Sequence, residues 1–433
     1  MDMKWSKYNT IVENGNGQYL LYNSVDDKLM VCVKEVKDIL ENNINHVDKI
    51  ANIHPDLYQY LVDKAFIVAN DINEAEQYVE NLRKKDQSPE SLSITINPTL
   101  NCNLKCWYCY EKHLVGTSIS SAVKGSIMNL VDKRIEEGLK ELYIGFFGGE
   151  PLLEFDTFVY PFLTKMKEKC DINQVNLSIG FTTNAVLFTS ERCALLKKMS
   201  LPVYLQIPFD GDKELHDKTK KQIDGTGTYD VIMSNLQSIL ASGFKVLIRC
   251  NYTNKNIDSF SKLIDDVKVI GKGYKDLISF SFQSIWQEKE SEETKERLQQ
   301  IYKGMKGDSV EFTVDTVSQR CYSEKENHIV INYNGDIYKC TARDFVPELR
   351  EGVLHPNGTI TYNERYADRM ETKYGWTYCR DCIILPICNI CSQVKLESLQ
   401  ENTCLRGHLT EEKKRSIIID RIRELNVGKI KSY

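Results

Sequence analysis

Three cysteines on one short segment have the types and spacing of a metal-cluster site. Cys102, Cys106 and Cys109 follow the pattern C-x3-C-x2-C. Three thiolates on one loop can hold three corners of a cubic iron–sulfur cluster, which normally takes four protein ligands. No fourth cysteine lies nearby in the sequence. The spacing therefore predicts a cluster with one iron left open, and an open position is typical of catalytic rather than structural metal sites.

Zinc is the alternative for these thiols. Structural zinc motifs usually bring a second Cys or His pair within about 20 residues, whereas only His113 lies near this loop. The spacing therefore favours an iron–sulfur cluster.

A glycine-rich strip, Gly148-Gly149-Glu150-Pro151, follows the cysteine loop. Together the two motifs resemble the radical S-adenosylmethionine (SAM) superfamily, from about Ser91 onward. The resemblance implies that the open iron binds SAM, that the reduced cluster cleaves SAM to a 5'-deoxyadenosyl radical, and that Gly148, Gly149 and Glu150 hold the methionyl amine. From the residues alone, the strip is equally a strand-to-helix turn in which Pro151 opens the helix.

The resemblance implies further contacts to SAM. Asn184 matches the ribose segment, although Ala185 stands where the family has glycine. Asp210 matches the segment after the fourth strand, or is a turn residue only. Arg249 is a candidate for the SAM carboxylate, since a cation inside a barrel usually faces a ligand or a carboxylate. Tyr108 is expected to pack against adenine, or simply to order the loop.

Seven of the fourteen cysteines fall between Cys321 and Cys404, and this array resembles the SPASM domain with its two auxiliary [4Fe–4S] clusters. The resemblance assigns four thiolates to the second auxiliary cluster: Cys379, Cys382, Cys388 and Cys404. It assigns three to the first: Cys321, Cys340 and Cys391, the last of which departs from the family spacing by one residue. Two cubes need eight ligands, so the first auxiliary cluster keeps an open iron or borrows Glu324, Glu326 or His328. Zinc ribbons are the alternative for the array.

The elements that must position these residues alternate between strand and helix from Ser91 to about Trp286. The predicted strands are Leu92–Ile96, Leu142–Phe147, Val175–Phe181, Val203–Pro208, Lys245–Asn251 and Leu277–Gln283. Such alternation predicts an α/β fold with a parallel sheet covered by helices. Six units suit an open, partial (β/α)6 barrel, which the resemblance also implies. The motifs would then follow the first four strands, on the face where parallel barrels build active sites.

The first ninety residues are typical of a small winged-helix-like module, with a hairpin signal at Asn14-Gly15-Asn16-Gly17. In similar peptide-modifying enzymes such a module binds the leader of a precursor peptide as an added edge strand; alternatively it only packs on the barrel. The expected domains are 1–88 (leader recognition), 89–310 (barrel), 311–410 (cysteine-rich iron–sulfur domain) and 411–433 (helical tail).

Composition excludes several classes of function. The net charge of −5 is well mixed, which argues against a nucleic-acid partner. No apolar run has membrane-spanning length and no signal-peptide core is visible, so we expect a cytoplasmic protein without a membrane partner. Fourteen cysteines there indicate metal binding or catalysis rather than disulfides.

Taken together, the patterns predict a radical SAM enzyme that matures a ribosomally made peptide, with one SAM-binding and two auxiliary [4Fe–4S] clusters. An open auxiliary iron that binds a substrate cysteine favours a sulfur-to-carbon thioether, and a carbon–carbon cross-link is the competitor. Sulfatase maturation is disfavoured, because Thr341 stands where those enzymes carry an aspartate. A reductant such as flavodoxin or ferredoxin is the expected partner. An iron–sulfur or zinc scaffold that only binds partners is the non-enzyme alternative.

Overall fold

The structure is a computed structural model that describes residues 2–15, 17–222, 224–307, 321–398, 403–407 and 409–426. Its contacts divide the chain into two units. The larger comprises Ser88–Asp315 and Lys325–Ala367, and the smaller comprises Met1–Gln87, Thr316–Glu324 and Asp368–Tyr433. The predicted boundary between residues 310 and 311 lies outside the described residues, as do residues 427–433 of the predicted tail.

The larger unit is built on six parallel strands that neighbour one another in chain order. They are β6 (Ser91–Asn97), β7 (Glu141–Phe146), β8 (Asn176–Thr182), β9 (Val203–Phe209), β10 (Lys245–Tyr252) and β11 (Ile278–Ser284). Apolar side chains such as Ile94, Ile144 and Ile179 are fully buried in it, as expected for strands covered by helices. The predicted α/β fold with a partial barrel is confirmed.

Helices separate these strands. They are α5 (Ser121–Glu136), α6 (Tyr160–Ile172), α7 (Ser190–Lys198), α8 (Lys213–Thr219), α9 (Tyr229–Ala241), α10 (Phe260–Ile270) and α11 (Glu292–Gly307). Several begin at a side chain that accepts a first-turn N–H: Ser120 for α5, Thr189 for α7 and Asp212 for α8. Such caps typically stabilise a helix by about 1 kcal/mol, and here they start each helix directly after a loop of the barrel.

Four further strands extend the sheet beyond β6. They are β12 (His328–Asn332), β13 (Asp336–Tyr338), β14 (Gly352–Leu354) and β15 (Ile360–Tyr362). β12 pairs in parallel with β6. β13, β14 and β15 then add one after another in antiparallel orientation, which gives the larger unit a sheet of ten described strands. Gly335 turns the chain between β12 and β13 with a φ of +89°, as the sequence Asn334-Gly335-Asp336 predicts.

The smaller unit contains the N-terminal module. Its strands are β1 (Met3–Trp5), β2 (Asn9–Gly15), β3 (Gln18–Asn23), β4 (Lys28–Val33) and β5 (Ile67–Ala69), and its helices are α1 (Lys34–Asn42), α2 (Asp48–Ile53), α3 (Pro55–Asp63) and α4 (Glu74–Asp86). β2, β3 and β4 form a three-stranded sheet, and β5 pairs with β1 in a separate two-stranded sheet. Asn16 of the predicted hairpin turn lies outside the described residues.

C-terminal helices complete this unit. They are α13 (Thr377–Arg380), α14 (Ser392–Leu396) and α15 (Glu411–Asn426), and α12 (Glu364–Tyr374) precedes them. Ile418 and Ile422 of α15 pack with Val12, Leu20 and Tyr22 of the three-stranded sheet, so α15 stabilises the N-terminal module. Among the helices that the structure describes, none combines the length and the apolar character that a membrane crossing requires.

Candidate active site

The three cysteines lie on the loop that leaves the carboxyl end of β6. Leu104 is buried beneath this loop, and its N–H points at the Cys102 sulfur, 3.4 Å away. Burial raises the pKa of all three thiols, that of Cys109 to about 11. Ionised Cys106 and Cys109 would raise the pKa of Cys102 further, because a second negative charge nearby is unfavourable. Such a site holds protons at neutral pH unless a metal replaces them.

The glycine strip packs directly on this loop. A Cβ atom at Gly149, where φ is +51°, would stand 2.1 Å from the backbone oxygen of Asn101. The Gly149 N–H donates to Glu111 at 2.9 Å, and the Glu150 N–H donates to the Asn101 oxygen at 2.8 Å. The absence of a side chain at Gly149 therefore lets the backbone of the strip approach the backbone of the cysteine loop closely.

Glu150 joins the ends of two strands. Its buried carboxylate accepts the Thr183 hydroxyl at 2.7 Å and the backbone N–H groups of Asn184 and Leu152 at 2.8 and 3.0 Å. Burial raises its pKa to about 7. A carboxylate has about four acceptor positions, so three protein donors leave room for one more.

Asn184 reaches back from the end of β8 to the cysteine loop. Its side-chain amide donates to Asn103 at 2.8 Å and lies 4.0 Å from the Cys102 sulfur. The next residue, Ala185, has a φ of +60°. That conformation favours glycine, the residue that the resemblance implies at this position.

A buried polar network links the cysteine loop to β9 and β10. The Tyr108 hydroxyl donates to Asp210 at 2.7 Å and accepts from Asn251 at 3.0 Å. The Lys220 ammonium donates to both Asp210 and Tyr108. Arg249 donates to Asn251 at 2.9 Å. The structure thus joins Tyr108, Asp210 and Arg249, three predicted SAM contacts, in one hydrogen-bonded network, which also includes a lysine that the motifs do not indicate.

Aromatic side chains lie beside the loop at the same end of the barrel. Tyr110 stacks on Trp286 with ring centroids 5.2 Å apart, and the Arg343 guanidinium lies over the Trp286 ring at 5.2 Å. The Tyr110 hydroxyl donates to the backbone oxygen of Thr341 at 2.6 Å. These contacts hold Trp286 and Arg343 beside the cysteine loop.

The smaller unit holds the second predicted set of thiols. Cys379, Cys382, Cys388 and Cys404 line one cavity of about 300 Å³. The described His, Cys, Asp and Glu side chains form no preformed group of three or more around a single metal ion. The lining combines the four assigned cysteines with apolar side chains and six charged ones. Four thiolates are the ligand number that a [4Fe–4S] cluster takes.

Helix α4 forms part of this cavity, which the sequence does not indicate. Tyr78, Val79 and Leu82 line it together with the cysteines, and Asp86 at the end of α4 forms a buried ion pair with Lys373. The charged stretch Asn73–Glu90 suggests a solvated helix and linker, but Val79 and Leu82 lie three residues apart and therefore on one face of the helix. This spacing is the feature of the sequence that could have indicated that α4 packs against the cavity.

The remaining assigned cysteines belong to both units. Cys391 lies in hydrogen-bonding contact with Cys321, and the neighbouring Ser392 N–H donates to Glu324 at 2.8 Å. In the larger unit, the Ala342 N–H points at the Cys340 sulfur at 3.4 Å. Of the three borrowed-ligand candidates, the structure therefore places Glu324 beside Cys321 and Cys391. His328 contacts Thr95 instead, at 3.2 Å, and Glu326 belongs to the larger unit.

Comparison with known proteins matches residues 96–267 to the Radical SAM superfamily. The radical SAM cyclopropyl synthase TigE of Paramaledivibacter caminithermalis is 23% identical over 60% of this chain and 59% of its own length. A cysteine-type anaerobic sulfatase-maturating enzyme of Clostridium novyi is 27% identical over 34% of this chain and 40% of its own. The matches thus span less than two thirds of these relatives.

Solved structures share the fold. The protein anSMEcpe, determined with bound AdoMet and the Cp18Cys peptide, superposes with a TM-score of 0.60 at 17% identity over 78% of this chain and 100% of its own. The same protein with AdoMet alone also has a TM-score of 0.60. The cysteine loop and the glycine strip both lie within the segment 96–267 that matches the family.

Proposed function

We propose that this chain, whose residues 96–267 match the Radical SAM superfamily, is a maturase that modifies a ribosomally made peptide by hydrogen abstraction. One observation carries the proposal. The Cys102–Cys109 loop, the glycine strip and Asn184 are bonded to one another at the carboxyl ends of three adjacent parallel strands, through Glu150 and Asn103. Parallel barrels place their active sites at this face.

Cys102, Cys106 and Cys109 would hold a [4Fe–4S] cluster with one open iron. When bound there, the cluster and SAM supply a 5'-deoxyadenosyl radical. The chain positions them: Glu150 keeps one acceptor position for the methionyl amine beside Gly148 and Gly149. We assign the remaining SAM contacts to the side chains that surround the loop, namely Tyr108, Asn184, Asp210 and Arg249.

Two auxiliary clusters complete the proposed cofactor set. The cavity of the smaller unit suits the second auxiliary cluster, with Cys379, Cys382, Cys388 and Cys404 as ligands. We assign Cys321, Cys340 and Cys391 to the first. Clusters bound at these sites would supply a position for a substrate thiolate and an acceptor for the electron left after hydrogen abstraction. A flavodoxin or ferredoxin is the proposed source of the first electron.

The N-terminal module is the proposed site for the leader of the precursor peptide. β4 is an edge of its three-stranded sheet, and Val31 and Val33 on it are 48% and 53% exposed. At the opposite edge, Arg415 already donates to the Ile11 oxygen of β2 at 2.7 Å. An extended peptide can add to β4 by backbone hydrogen bonds, with the two valines as apolar contacts. The peptide in the anSMEcpe structure supports this substrate class.

We assign a thioether as the bond formed, because the array has seven cysteines where two closed clusters need eight. A carbon–carbon bond is the second candidate, since the relative TigE is named a cyclopropyl synthase. Sulfatase-type maturation is less well supported: Thr341 follows Cys340, and Asp344 accepts the N–H groups of Lys112 and Phe345 at 3.1 and 2.9 Å.

The test uses anaerobically reconstituted full-length chain, SAM, a reductant and the peptide encoded by a neighbouring small open reading frame. We expect methionine and 5'-deoxyadenosine, and a product two hydrogen masses lighter that carries one fewer alkylatable thiol. The variant in which Cys102, Cys106 and Cys109 are all alanine is the control and should leave SAM intact. Loss of two hydrogens with every thiol still free would assign the carbon–carbon bond. Intact SAM with the wild-type chain would contradict the proposal.

A further inference from the structure

Glu111 is a carboxylate that links the cysteine loop to the glycine strip. It lies two positions after Cys109, and its side chain accepts the Gly149 N–H at 2.9 Å. The motifs of the sequence assign no role to it. A hydrogen bond to a carboxylate is among the stronger ones in proteins, so this contact can select one orientation of the backbone that it binds.

The backbone of the strip needs such a restraint. Gly148 and Gly149 have φ values of +79° and +51°, and a residue without a Cβ atom adopts many backbone conformations at little cost. A side chain cannot restrict either position. A Cβ at Gly148 would stand 2.7 Å from the Cβ of Asn97, and one at Gly149 would stand 2.1 Å from the Asn101 oxygen. The orientation of the peptide between the two glycines therefore depends on its hydrogen bonds.

The bond to Glu111 also sets the direction of the Gly148 carbonyl. The N–H and C=O groups of a trans peptide lie in one plane and point in opposite directions, and the structure contains no cis peptide bond in its described residues. The Gly148 oxygen therefore points away from Glu111. Among the residues that the structure describes, none donates a hydrogen bond to this oxygen, which leaves it as an acceptor for a ligand.

The neighbours of Glu111 on both sides are anchored. The Tyr110 hydroxyl donates to the Thr341 oxygen at 2.6 Å, and the Lys112 N–H donates to Asp344 at 3.1 Å. Both acceptors lie in the segment between β13 and β14, which belongs to the same unit as the barrel. Because the residue before and the residue after Glu111 are fixed, the movement of its carboxylate is limited.

We propose that Glu111 is a positioning residue that orients the Gly148–Gly149 peptide, so that the Gly148 carbonyl accepts a hydrogen bond from the methionyl amine of SAM. An amine bound to an iron keeps two N–H groups, which need two acceptors. Glu150 has one acceptor position left, and the Gly148 oxygen supplies the second. The inference rests on the proposed function, because it requires SAM at this site.

The experiment measures SAM binding to anaerobically reconstituted, unreduced full-length chain by equilibrium dialysis, so that SAM is not cleaved. Glu111→Gln keeps an oxygen that can accept the Gly149 N–H, whereas Glu111→Met has a similar length and no such acceptor. Glu348→Met, at an exposed glutamate of the same unit, is the matched control. A SAM analogue with hydrogen in place of the methionyl amine is the second ligand. Iron content and thermal unfolding are recorded for each variant.

We expect Glu111→Met to keep its iron and to bind SAM about tenfold more weakly, the fold-change that the loss of one hydrogen bond produces. Glu111→Gln and Glu348→Met should bind SAM with an affinity near that of the wild type. The deaminated analogue should bind the wild type and Glu111→Met equally well, because it carries no amine for the strip to hold.

Unchanged SAM binding by a Glu111→Met chain with full iron would overturn the inference. An equal loss of affinity for SAM and for the analogue would do the same, since it indicates a general loosening of the loop, and so would a Glu111→Gln chain that binds SAM as weakly as Glu111→Met. If Glu111→Met binds no cluster, Glu111→Ala decides by the same measurements. Loss of the cluster from both of these variants would also overturn the inference, in favour of a purely structural role.

The two proposals fail separately. A wild-type chain that binds no iron–sulfur cluster, or binds one and leaves SAM intact when reduced, contradicts the proposed function. A wild-type chain that cleaves SAM, combined with a SAM affinity that does not respond to residue 111, contradicts only the assignment of Glu111.

Discussion

The carboxylate of Glu150 accepts the backbone N–H of Asn184 at a distance of 2.8 Å. The two residues lie 34 positions apart and follow different strands, so this bond fixes the end of β7 against the end of β8. Asn184 in turn contacts Asn103 on the cysteine loop. The three motifs therefore behave as one bonded unit, and a change in any of them should disturb the others.

Gly149→Ala should disrupt the cysteine loop. The added Cβ would stand 2.1 Å from the Asn101 oxygen, and the positive φ adds about 1–2 kcal/mol of backbone strain. We expect loss of cluster binding and of SAM cleavage, measured by iron content and by 5'-deoxyadenosine release.

Gly138→Ala is the matched control for that variant. Gly138 also has a positive φ, +98°, but its Cβ would meet nothing within 4 Å. We expect the free energy of unfolding of this variant to fall only by the backbone strain, about 1–2 kcal/mol, and its iron content to stay unchanged. Equal behaviour of the two variants would show that the contact with Asn101 is unimportant.

Stability of the cluster-free chain should fall as the pH rises through 7. Burial raises the pKa of Glu150 to about 7, above the value of about 4.3 of an exposed glutamate. The folded state thus keeps a proton that the unfolded state has already lost, so the stabilisation is complete below pH 4 and disappears above pH 7. The full effect is about 4 kcal/mol.

Chemical denaturation of the wild type and of Glu150→Gln at several pH values measures this contribution. The difference in the free energy of unfolding between the two should change across this pH range. Glu168→Gln, at an exposed glutamate of α6, is the control and should follow the wild type. A pH-independent difference between wild type and Glu150→Gln would contradict the shifted pKa.

Cys388→Ala should remove one cluster and leave the others in place. Cys388 lines the cavity of the smaller unit with three further cysteines, and a cube with three ligands is held less firmly than one with four. We expect the iron and sulfide content to fall by up to one cluster per chain, while SAM cleavage persists without substrate.

Cys170→Ala provides the comparison for that variant. Cys170 is a buried thiol of the barrel core and has no ligand spacing. This variant should lose stability, since a buried side chain is shortened, but retain all its iron. Iron loss in Cys170→Ala of the same size would show that the effect of Cys388 is indirect.

Aspartates at Val31 and Val33 should weaken binding of the leader. Both valines are exposed on the edge strand β4, and two charges on such an edge discourage pairing with another strand. We expect at least a tenfold loss of affinity, measured by fluorescence anisotropy with a labelled peptide from the neighbouring small open reading frame.

Ile53→Asp is the control for this surface. Ile53 is 55% exposed at the end of α2 and not part of the sheet, so its substitution should leave the affinity unchanged. The β4 assignment is wrong if the double aspartate variant binds the leader as well as the Ile53→Asp variant does.

Local patterns in the sequence predict much of this protein. The spacing of Cys102, Cys106 and Cys109 indicates cluster chemistry because it depends only on residues of one loop. The six barrel strands follow from apolar runs separated by helical segments, and the structure confirms them. The sequence also indicates that Gly148, Asn184 and Asp210 follow successive strands, which is enough to expect them at one face of a parallel sheet.

Contacts between distant residues were decided by the tertiary structure alone. Lys220 meets Tyr108 across 112 positions, and the lysines around it in the sequence suggest an exposed segment. Val79 and Leu82 of α4 line the cavity of Cys379 although about 300 residues separate them. β12 pairs with β6 and extends the sheet, although no hairpin or crossover pattern in the sequence indicates that these two strands are neighbours.

The physical reason for this division lies in the range of each signal. The signals from thiol spacing, strand periodicity and capping residues each involve only a few neighbouring residues. The sequence by itself therefore determined which chemistry and which elements are present. The partner of a buried ammonium depends on strand order and on the loops that this order brings together. Only the folded chain decided that Asp210 and Tyr108 enclose Lys220.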